Sequence, residues 1–296
     1  MYVSFDQLRH SVSAGMSKTI VAAAAHDVHT LEAVYAATKE FFVQYILVGN
    51  REKIMAISSK LGVNLNPEAI VDAADDADCA NKAVALIRDG WGHILMKGLL
   101  ETGVLLKAVL DKDFGIRDSD TLSHIAVLEV PGYHKLISVT DGGVLPSPTL
   151  EQKASIVRNA VGFYHRMGFR KPKVAALCAS ETVSERIPET VDAAMLQTMC
   201  ERGELGDCLL EGPLSFDIAV SREAASVKRF SSKVSGDPDI LLVPNISVGN
   251  IFAKGLIYWG GTKMTGCILG AKVPIVLVSR NATAEEKLYA IMLCMA

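Results

Sequence analysis

The stretch TIVAAAAHDVHTLEAVYAATKEFFVQYILVGN, residues 19–50, decides the fold. It begins with an apolar run, residues 19–25, that has the length and character of a buried strand. Apolar residues then recur from Leu31 to Thr38 at the spacing of one helical face, and a second apolar run follows at residues 44–48. Two strands joined by a helix-length connection predict parallel pairing, because parallel neighbours need a crossover. The stretch therefore predicts a strand–helix–strand unit of a parallel sheet.

The same alternation continues along most of the chain. Only the middle interrupts it, where two apolar runs flank Pro131-Gly132 and predict a hairpin. The remaining strands are predicted at residues 93–96, 123–130, 136–140, 173–178, 208–210, 239–243 and 273–278, and the remaining helices at residues 54–61, 80–88, 149–167, 188–201 and 248–258. We therefore expect an α/β fold of two α/β/α sandwich domains with mainly parallel sheets. The first domain is predicted at residues 1–134 plus 274–296 and the second at residues 135–273.

Composition narrows the possible partners and the compartment. The 296 residues carry a net charge of −3, which gives no electrostatic reason to expect nucleic acid or an anionic membrane as a partner. No apolar run approaches the roughly 18 residues that a membrane-spanning helix needs. The six cysteines form no C-x-x-C pair and lie within apolar segments, as reduced thiols do. We therefore expect a cytoplasmic protein.

Two cations lie directly beyond predicted strands. Lys97 follows the strand at residues 93–96, and Arg280 follows the strand at residues 273–278 with Ser279 between them. Ligands of open α/β sheets bind beyond the carboxyl ends of the strands, and an arginine there can grip phosphate oxygens with two parallel N–H groups. These positions therefore indicate an anion site.

A predicted helix begins just after this arginine. Thr283 has the position of an N-cap and Glu286 that of the third helical residue, which is the spacing of a capping box. The N-terminus of a helix favours anions and would strengthen the site. Arg280 could also be a surface arginine paired with Glu285 or Glu286, and the pattern alone leaves both interpretations open.

The chain resembles the phosphate acetyl/butyryltransferase family, and most closely its phosphate butyryltransferase branch. The resemblance spans most of the chain in order. Its residues are Lys97-Gly98, Thr102, Ser123-His124, Thr140 to Gly142, Pro172 to Ala175, Glu181, Asp192-Ala193, Gly203, Glu211 to Asp217, Ala224-Ala225, Lys228, Gly236 to Ile240, Pro244, Gly249-Asn250, Lys254, Gly270 to Pro274 and Ser279-Arg280. The fold it implies has an interdomain cleft and is like that of isocitrate and isopropylmalate dehydrogenases.

The activity implied by the resemblance is reversible transfer of a short acyl group between coenzyme A and inorganic phosphate. A thiolate attacks the carbonyl of an acyl phosphate directly in a ternary complex, and phosphate leaves. The resemblance implies no metal and no tightly bound cofactor, with coenzyme A as a substrate. It also implies a homodimer or an assembly of dimers.

The resemblance also implies roles for single residues. Arg280 would bind the phosphate, with Lys97 as a second positive charge, and Ser279 would hydrogen-bond the oxyanion or the phosphate. Glu286 falls in the register of a catalytic carboxylate and would be the thiol base, although its capping position explains it equally well. The further substrate-binding residues implied are Gly98, Thr102, Ser123, His124, Asp141 and Lys254. His124 is also expected to be partly buried and hydrogen-bonded.

Two segments depart from the family pattern. Asn281-Ala282 stands where the related branch usually has an aspartate two residues after the Ser-Arg pair. Residues 143–147 replace a segment that usually contains asparagine, which leaves the preferred acyl chain open.

Three other patterns in the sequence could also bind a ligand. His26-Asp27-x-His29 could bind a metal, but Asp27 is also a good helix cap. The glycines at 260, 261, 266 and 270 could cradle a phosphate or form turns, and Lys228, Arg229 and Lys233 could meet the phosphates of coenzyme A or form a solvated helix face.

Two alternative functions remain. A metal- and NAD-dependent β-decarboxylating dehydrogenase would need clustered carboxylates, for which Asp237 and Asp239 are the nearest pair. A non-catalytic acyl-CoA or phosphate-binding relative would fit the departure at Asn281-Ala282.

Overall fold

The computed structural model describes residues 2–12, 18–278 and 282–296. The strands are β1 Thr19–Ala23, β2 Gln44–Gly49, β3 Ile70–Asp72, β4 Ile94–Lys97, β5 Ser123–Glu129, β6 Ile137–Thr140, β7 Lys173–Leu177, β8 Leu209–Leu214, β9 Ile240–Leu242, β10 Lys263–Leu269 and β11 Ile275–Val276. The helices are α1 Phe5–Val12, α2 Val28–Phe41, α3 Arg51–Leu61, α4 Asp76–Arg88, α5 Thr102–Val109, α6 Leu150–Arg166, α7 Pro188–Glu201, α8 Phe216–Val220, α9 Arg222–Val227, α10 Ile246–Gly260 and α11 Ala284–Met295. The prediction of an α/β fold with mainly parallel strands is confirmed.

The chain divides into two compact units. The terminal unit comprises residues 5–118 and 265–296, and the central unit comprises residues 119–264 together with the N-terminal residues 2–4. Strands of the terminal unit lie in the order β3-β2-β1-β4-β11-β10, in which only β10 is antiparallel to its neighbour β11. Strands of the central unit lie in the order β5-β6-β9-β7-β8, in which only β5 is antiparallel.

Local sequence signals explain the first strand–helix–strand unit. Strand β1 is buried, and Asp27 caps α2 by accepting a hydrogen bond from the Thr30 amide. Asn50 caps α3 in the same way, and α3 ends at Gly62, which takes the left-handed conformation that glycine adopts without strain. Strands β1 and β2 pair in parallel, as the sequence predicted.

An apolar cluster packs helices against the sheet of the central unit. Side chains from β5, β6, β7, β8 and β9 meet residues of α8 and α9, and Phe252 and Leu256 of α10 pack against the same cluster. Helix α6 begins with a capping box, in which Thr149 and Gln152 bond each other's backbone. The unit therefore has its own core and its own capped helices.

The boundaries of the units differ from the predicted domain boundaries. The sequence placed residues 119–134 in the first domain, but β5 pairs with β6 over four residue pairs, from Ile125 with Thr140 to Leu128 with Ile137. A hairpin cannot be divided between two cores, so residues 119–134 belong to the central unit. Strand β10 joins the terminal unit instead, because Ile268 pairs with Ile275 of β11.

Some elements were not predicted. Strand β10 lies in the glycine-rich segment, for which the sequence predicted turns or a phosphate cradle. Gly261 in this segment ends α10 in the left-handed conformation. Strand β11 is shorter than the six residues predicted, since it spans Ile275–Val276 alone. Among the described residues, no helix is both long and apolar enough to cross a bilayer.

Candidate active site

In the terminal unit, the predicted site segment that begins at Lys97 lies where the order of the strands in the sheet reverses relative to their order in the chain. Strand β1 lies between β2 and β4, so the carboxyl ends of β1 and β4 flank a topological switch point, the place where open α/β sheets bind ligands. Gly98 follows β4 and donates its amide to the carbonyl of Ala23, 2.8 Å away. A Cβ at Gly98 would collide with the Ala24 carbonyl, so the two strand ends approach more closely than other residues allow.

Lys97 is buried at this switch point. Its side chain is 2% exposed, and its ammonium donates to the carbonyls of Gly98 and Leu100, each at 3.1 Å. Those two bonds fix the ammonium beside the loop that leads to Thr102, which is exposed in the first turn of α5. The structure thus places Lys97, Gly98 and Thr102 on one short segment.

Strand β11 lies beside β4, on the side away from β1. It runs parallel to β4, and Val276 pairs with Met96, the residue before Lys97. Ser279 and Arg280, the two residues expected to bind phosphate and oxyanion, lie outside the described residues.

Glu286 performs the capping duty that its spacing predicted. Its carboxylate accepts from the Thr283 amide at 2.8 Å, and the Glu286 amide donates to the Thr283 hydroxyl at 3.2 Å. The next residue, Lys287, is buried and donates to Asp27 at 3.3 Å and to the Thr30 hydroxyl at 2.9 Å. Helix α11 is therefore fixed to the carboxyl end of β1 through Asp27.

In the central unit, His124 and Asp141 lie at one edge of the sheet. Because β5 is antiparallel to β6, the start of β5 and the end of β6 fall on the same side. The buried carboxylate of Asp141 accepts from the amides of Gly143, Val144 and Leu145 at 2.8, 3.0 and 3.1 Å. Asp141 thus orders the loop that follows β6.

His124 is packed beneath this loop. A Cβ at Gly143 would lie 2.9 Å from the imidazole ring, so the glycine allows the loop to cover the histidine. Burial lowers the pKa of His124, although the nearby Asp141 acts in the opposite direction. The expectation that the imidazole is fully hydrogen-bonded is wrong for Nδ1, because this buried nitrogen has no partner within the described part of the chain. His124 is therefore set up as a neutral imidazole with one unused polar atom.

Two other predicted residues are placed differently. Ser123 is completely buried and its hydroxyl accepts from Asn159 at 3.1 Å, so its contact is with the core of the central unit. Lys254 is exposed on α10, nine residues beyond the N-cap Asn245, which is about 13 Å along the helix axis. The structure does not bring these two side chains together with His124.

One polar cluster at the ends of β7 and β8 surrounds Lys228, which the sequence predicted either to meet the phosphates of coenzyme A or to lie on a solvated helix face. The ammonium of Lys228 lies 2.9 Å from Glu181, 3.3 Å from the Ser215 hydroxyl and 3.0 Å from Asp217. Hydrogen bonds from Ser215 and Lys228 lower the pKa of Asp217 to about 2. All four residues belong to the segments that carry the family resemblance, and that is the signal that could have identified them.

The two carboxylates that a dehydrogenase would use to bind a metal, Asp237 and Asp239, form ion pairs with lysines. Asp237 and Asp239 both bind Lys135, at 2.8 and 2.6 Å, and Asp237 also binds Lys173 at 2.7 Å. They precede β9 and so lie at the amino end of that strand. No three His, Cys, Asp or Glu side chains are grouped as metal ligands in residues 2–12, 18–278 and 282–296, which include His26, Asp27 and His29.

Comparison with known proteins agrees with this geometry. A model of the family described as "Phosphate acetyl/butaryl transferase" matches residues 76–295. The phosphate butyryltransferase of Clostridium acetobutylicum is 39% identical over 293 residues, which are 99% of this chain and 97% of that protein.

Solved structures show the same relationship. A branched-chain phosphotransacylase from Enterococcus faecalis V583 has a TM-score of 0.81 and 33% identity, covering 95% of this chain and 98% of its own. A 4-hydroxythreonine-4-phosphate dehydrogenase from Klebsiella pneumoniae covers 95% of this chain and 99% of its own with a TM-score of 0.57 and 14% identity, which is a likeness of fold alone. The family match over most of the sequence and the relative of equal length establish that the chain belongs to the phosphate acetyl/butyryltransferase family, enzymes that transfer an acyl group between coenzyme A and phosphate.

Proposed function

We propose that the protein interconverts butyryl-CoA plus phosphate with butyryl phosphate plus coenzyme A, by direct attack of the thiolate on the acyl phosphate. The observation that carries this proposal is the pairing of β11 with β4. Val276 pairs with the residue before the buried Lys97, and it lies three positions before Ser279 in the sequence. A serine, an arginine and a lysine supply the donors that an acyl phosphate requires.

In this mechanism, Arg280 binds the phosphate through two N–H groups and Lys97 adds a second positive charge. As the thiolate attacks, negative charge grows on the carbonyl oxygen, and the Ser279 hydroxyl donates to it or to the phosphate. Loss of one such donor typically costs about 2.7–4 kcal/mol of transition-state stabilisation. In this proposal Glu286 is the base that accepts the proton of the coenzyme A thiol. Its carboxylate also caps α11.

The remaining predicted residues are proposed to bind the substrates. Gly98 and Thr102 lie on the segment that Lys97 orders, and the loop held by Asp141 covers His124. Ser123 would act by supporting the start of β5, because its hydroxyl is buried against Asn159. Lys254 offers an exposed cation to coenzyme A.

The activity is tested with butyryl-CoA and phosphate, using a thiol reagent that detects released coenzyme A. Phosphate-dependent release supports the proposal, and turnover that instead requires a nicotinamide cofactor and a divalent metal would support the dehydrogenase. Tight binding of acyl-CoA without turnover would support a non-catalytic relative.

Arg280→Lys tests the proposed phosphate site. Its KM for phosphate should rise because a planar fork becomes a point charge. An unchanged KM for phosphate in this variant would refute the assignment of Arg280. Comparison of acetyl-, propionyl-, butyryl- and branched acyl-CoA then defines the preferred chain.

Two properties complete the proposal. We expect self-association into a homodimer or an assembly of dimers, for which the apolar surface of α10 is the best candidate: Ile251, Tyr258 and Trp259 are 72%, 83% and 93% exposed. We also propose a cytoplasmic location, since all six cysteines are free thiols and thiols persist in reducing compartments.

A further inference from the structure

The central unit contains a polar pocket to which the acyl-transfer proposal assigns no substrate group. It is an open pocket of ≈ 430 Å³ between α9 and the loop that follows it. Two cations and four hydroxyls line it: Arg222, Lys233, Ser226, Ser231, Ser232 and Ser235. Such a lining offers many donors and positive charge, which suits an anion.

The hydroxyl of Ser235 is the strongest sign that the pocket takes a ligand. Ser235 is 7% exposed, and its buried Oγ has no hydrogen-bond partner among the described residues. A buried hydroxyl without a partner destabilises a protein, because it has lost its hydrogen bonds to water. A bound group with acceptor oxygens would remove that cost.

The side chain of Arg222 packs against the loop of the pocket. The backbone of Gly236, at φ +74°, lies so close to the Arg222 side chain that a Cβ there would collide with its Cγ. Among the described residues, the ion pairs involve neither Arg222 nor Lys233, whereas the nearby Lys228 binds Glu181 and Asp217. Positive charge therefore remains available at the pocket.

The loop is ordered by its own hydrogen bonds. Ser232 donates its hydroxyl to Glu211, and that hydroxyl accepts from the amides of Val234 and Ser235 at 3.0 and 2.8 Å. The Lys233 amide donates to Glu211 at 2.9 Å. The Glu211 carboxylate is thus engaged by the loop, and the pocket is formed before any ligand arrives, as binding pockets usually are.

We propose that this pocket binds the phosphomonoester group of a small organic ligand. Arg222 would grip the phosphate oxygens with two N–H groups, Lys233 would add a point charge, and Ser235 would donate its unpaired hydroxyl. The pocket is far larger than the ≈ 30 Å³ share of one water molecule, so it has room for an organic group beside the phosphate. The 3′-phosphate of coenzyme A and a separate phosphorylated metabolite share this chemistry.

Calorimetric titration of the full chain with adenosine 3′,5′-bisphosphate tests the proposal and requires no turnover, so it is independent of acyl transfer. Arg222→Ala and Lys233→Ala should each weaken binding at least about tenfold. Arg229→Ala, which removes an arginine from the same segment but outside the pocket lining, should bind like the wild type. Absence of binding to the wild type, or equal binding by all the variants, would overturn the proposal.

Ser235→Ala separates binding from folding. Without ligand this variant should melt at the wild-type temperature or higher, because it removes a buried unpaired hydroxyl. Its stabilisation by the bisphosphate should be smaller than that of the wild type, and an undiminished stabilisation would contradict the proposal.

The source of the phosphate is distinguished by kinetics. If the pocket takes the 3′-phosphate of coenzyme A, Arg222→Ala raises the KM for coenzyme A and not the KM for dephospho-coenzyme A. If it takes a separate metabolite, neither KM changes although the bisphosphate still binds more weakly.

Discussion

Glu286 combines two duties in one carboxylate, and substitution can separate them. Glutamine at the third helical position still completes a capping box, so Glu286→Gln should leave the melting temperature unchanged. If Glu286 is the thiol base, the same change lowers kcat/KM by about 10²–10⁴-fold, the usual contribution of a general base. Activity and thermal melting measured on one preparation give both answers.

Two neighbouring positions provide the controls. Thr283→Ala removes the hydroxyl that accepts from the Glu286 amide, and should cost about 0.5–2 kcal/mol of unfolding free energy. Glu285→Gln removes a charge from the same exposed turn and should leave kcat/KM unchanged. A normal rate for Glu286→Gln would show that the carboxylate is a cap alone.

Asp237 makes the stability of the central unit depend on pH. Burial alone would raise the pKa of its carboxyl, but hydrogen bonds from Lys135, Lys173 and His134 outweigh burial and hold this pKa well below its usual range. A carboxyl with a lowered pKa in the folded state stabilises the protein above its unfolded pKa of about 3.9, and this stabilisation is lost as the pH falls below that value. The free energy of unfolding should therefore decrease below about pH 4.

Asp237→Asn tests this assignment by denaturant unfolding. The variant should be less stable than the wild type at pH 7 by about 1.5–3 kcal/mol, because hydrogen bonds to a charged group are lost. The difference should shrink as the pH is lowered from 5 to 3, since the carboxyl of the unfolded wild-type chain then takes up a proton while the folded one stays charged. A difference that is constant over this range would contradict the linkage.

At the scale of elements, α10 reaches the His124 edge through two glycines. A Cβ at Gly249 would lie 2.7 Å from the Cα of Gly142, which belongs to the loop held by Asp141. Gly249→Ala should therefore push the start of α10 away from that loop. We expect it to raise the KM for acyl-CoA, as measured in the thiol-release assay.

Gly255 provides a matched control on the same helix. A Cβ there would meet nothing closer than 4.0 Å, at the Trp259 ring, and alanine is favoured over glycine inside a helix by about 1 kcal/mol. Gly255→Ala should raise the melting temperature and leave the KM unchanged. If both alanine variants have the same KM, the contact between α10 and the loop has no part in substrate binding.

At the scale of the whole molecule, the sequence predicted what is encoded locally. Caps at Asp27 and Thr283 were recognisable because the side chain and the amide that it binds lie within three residues. The polar pocket beside α9 was not recognisable, because the contact between Arg222 and Gly236 depends on how a loop folds back. The bonds of Lys135 to Asp237 and Asp239 join residues more than 100 positions apart, and no spacing rule predicts them.

Strand order was also beyond the sequence. Alternating strands and helices predicted parallel pairing, but they did not show that β1 lies between β2 and β4 or that β11 runs beside β4. The residues at the strand ends were therefore identified, while their neighbours across the sheet were not. Ser123 is an example: the family resemblance implied a substrate contact at this strand end, but the residue is completely buried.

The exposed face of α10 bears on the assembly of the protein. Tyr258 and Trp259 are almost fully exposed, and an apolar cavity of ≈ 240 Å³ lies beside the same helix, lined in part by Phe252 and Leu256. The exposed aromatic rings of one copy could pack against the apolar cavity beside α10 of a second copy. This arrangement suits a two-fold contact, in which each copy offers the same surface. A buried aromatic side chain removes about 150–250 Å² from water, so two such residues per copy contribute strongly to association.

Trp259→Ala and Tyr258→Ala should therefore shift the protein toward the monomer, as measured by sedimentation velocity at micromolar concentration. Trp91→Ala is the matched control, because Trp91 is also exposed, at 66%, but lies in the terminal unit. Its loss should not change the sedimentation coefficient, although it removes the same apolar side chain. If Trp259→Ala sediments like the wild type, or if the wild type is itself a monomer, the assembly does not form through α10.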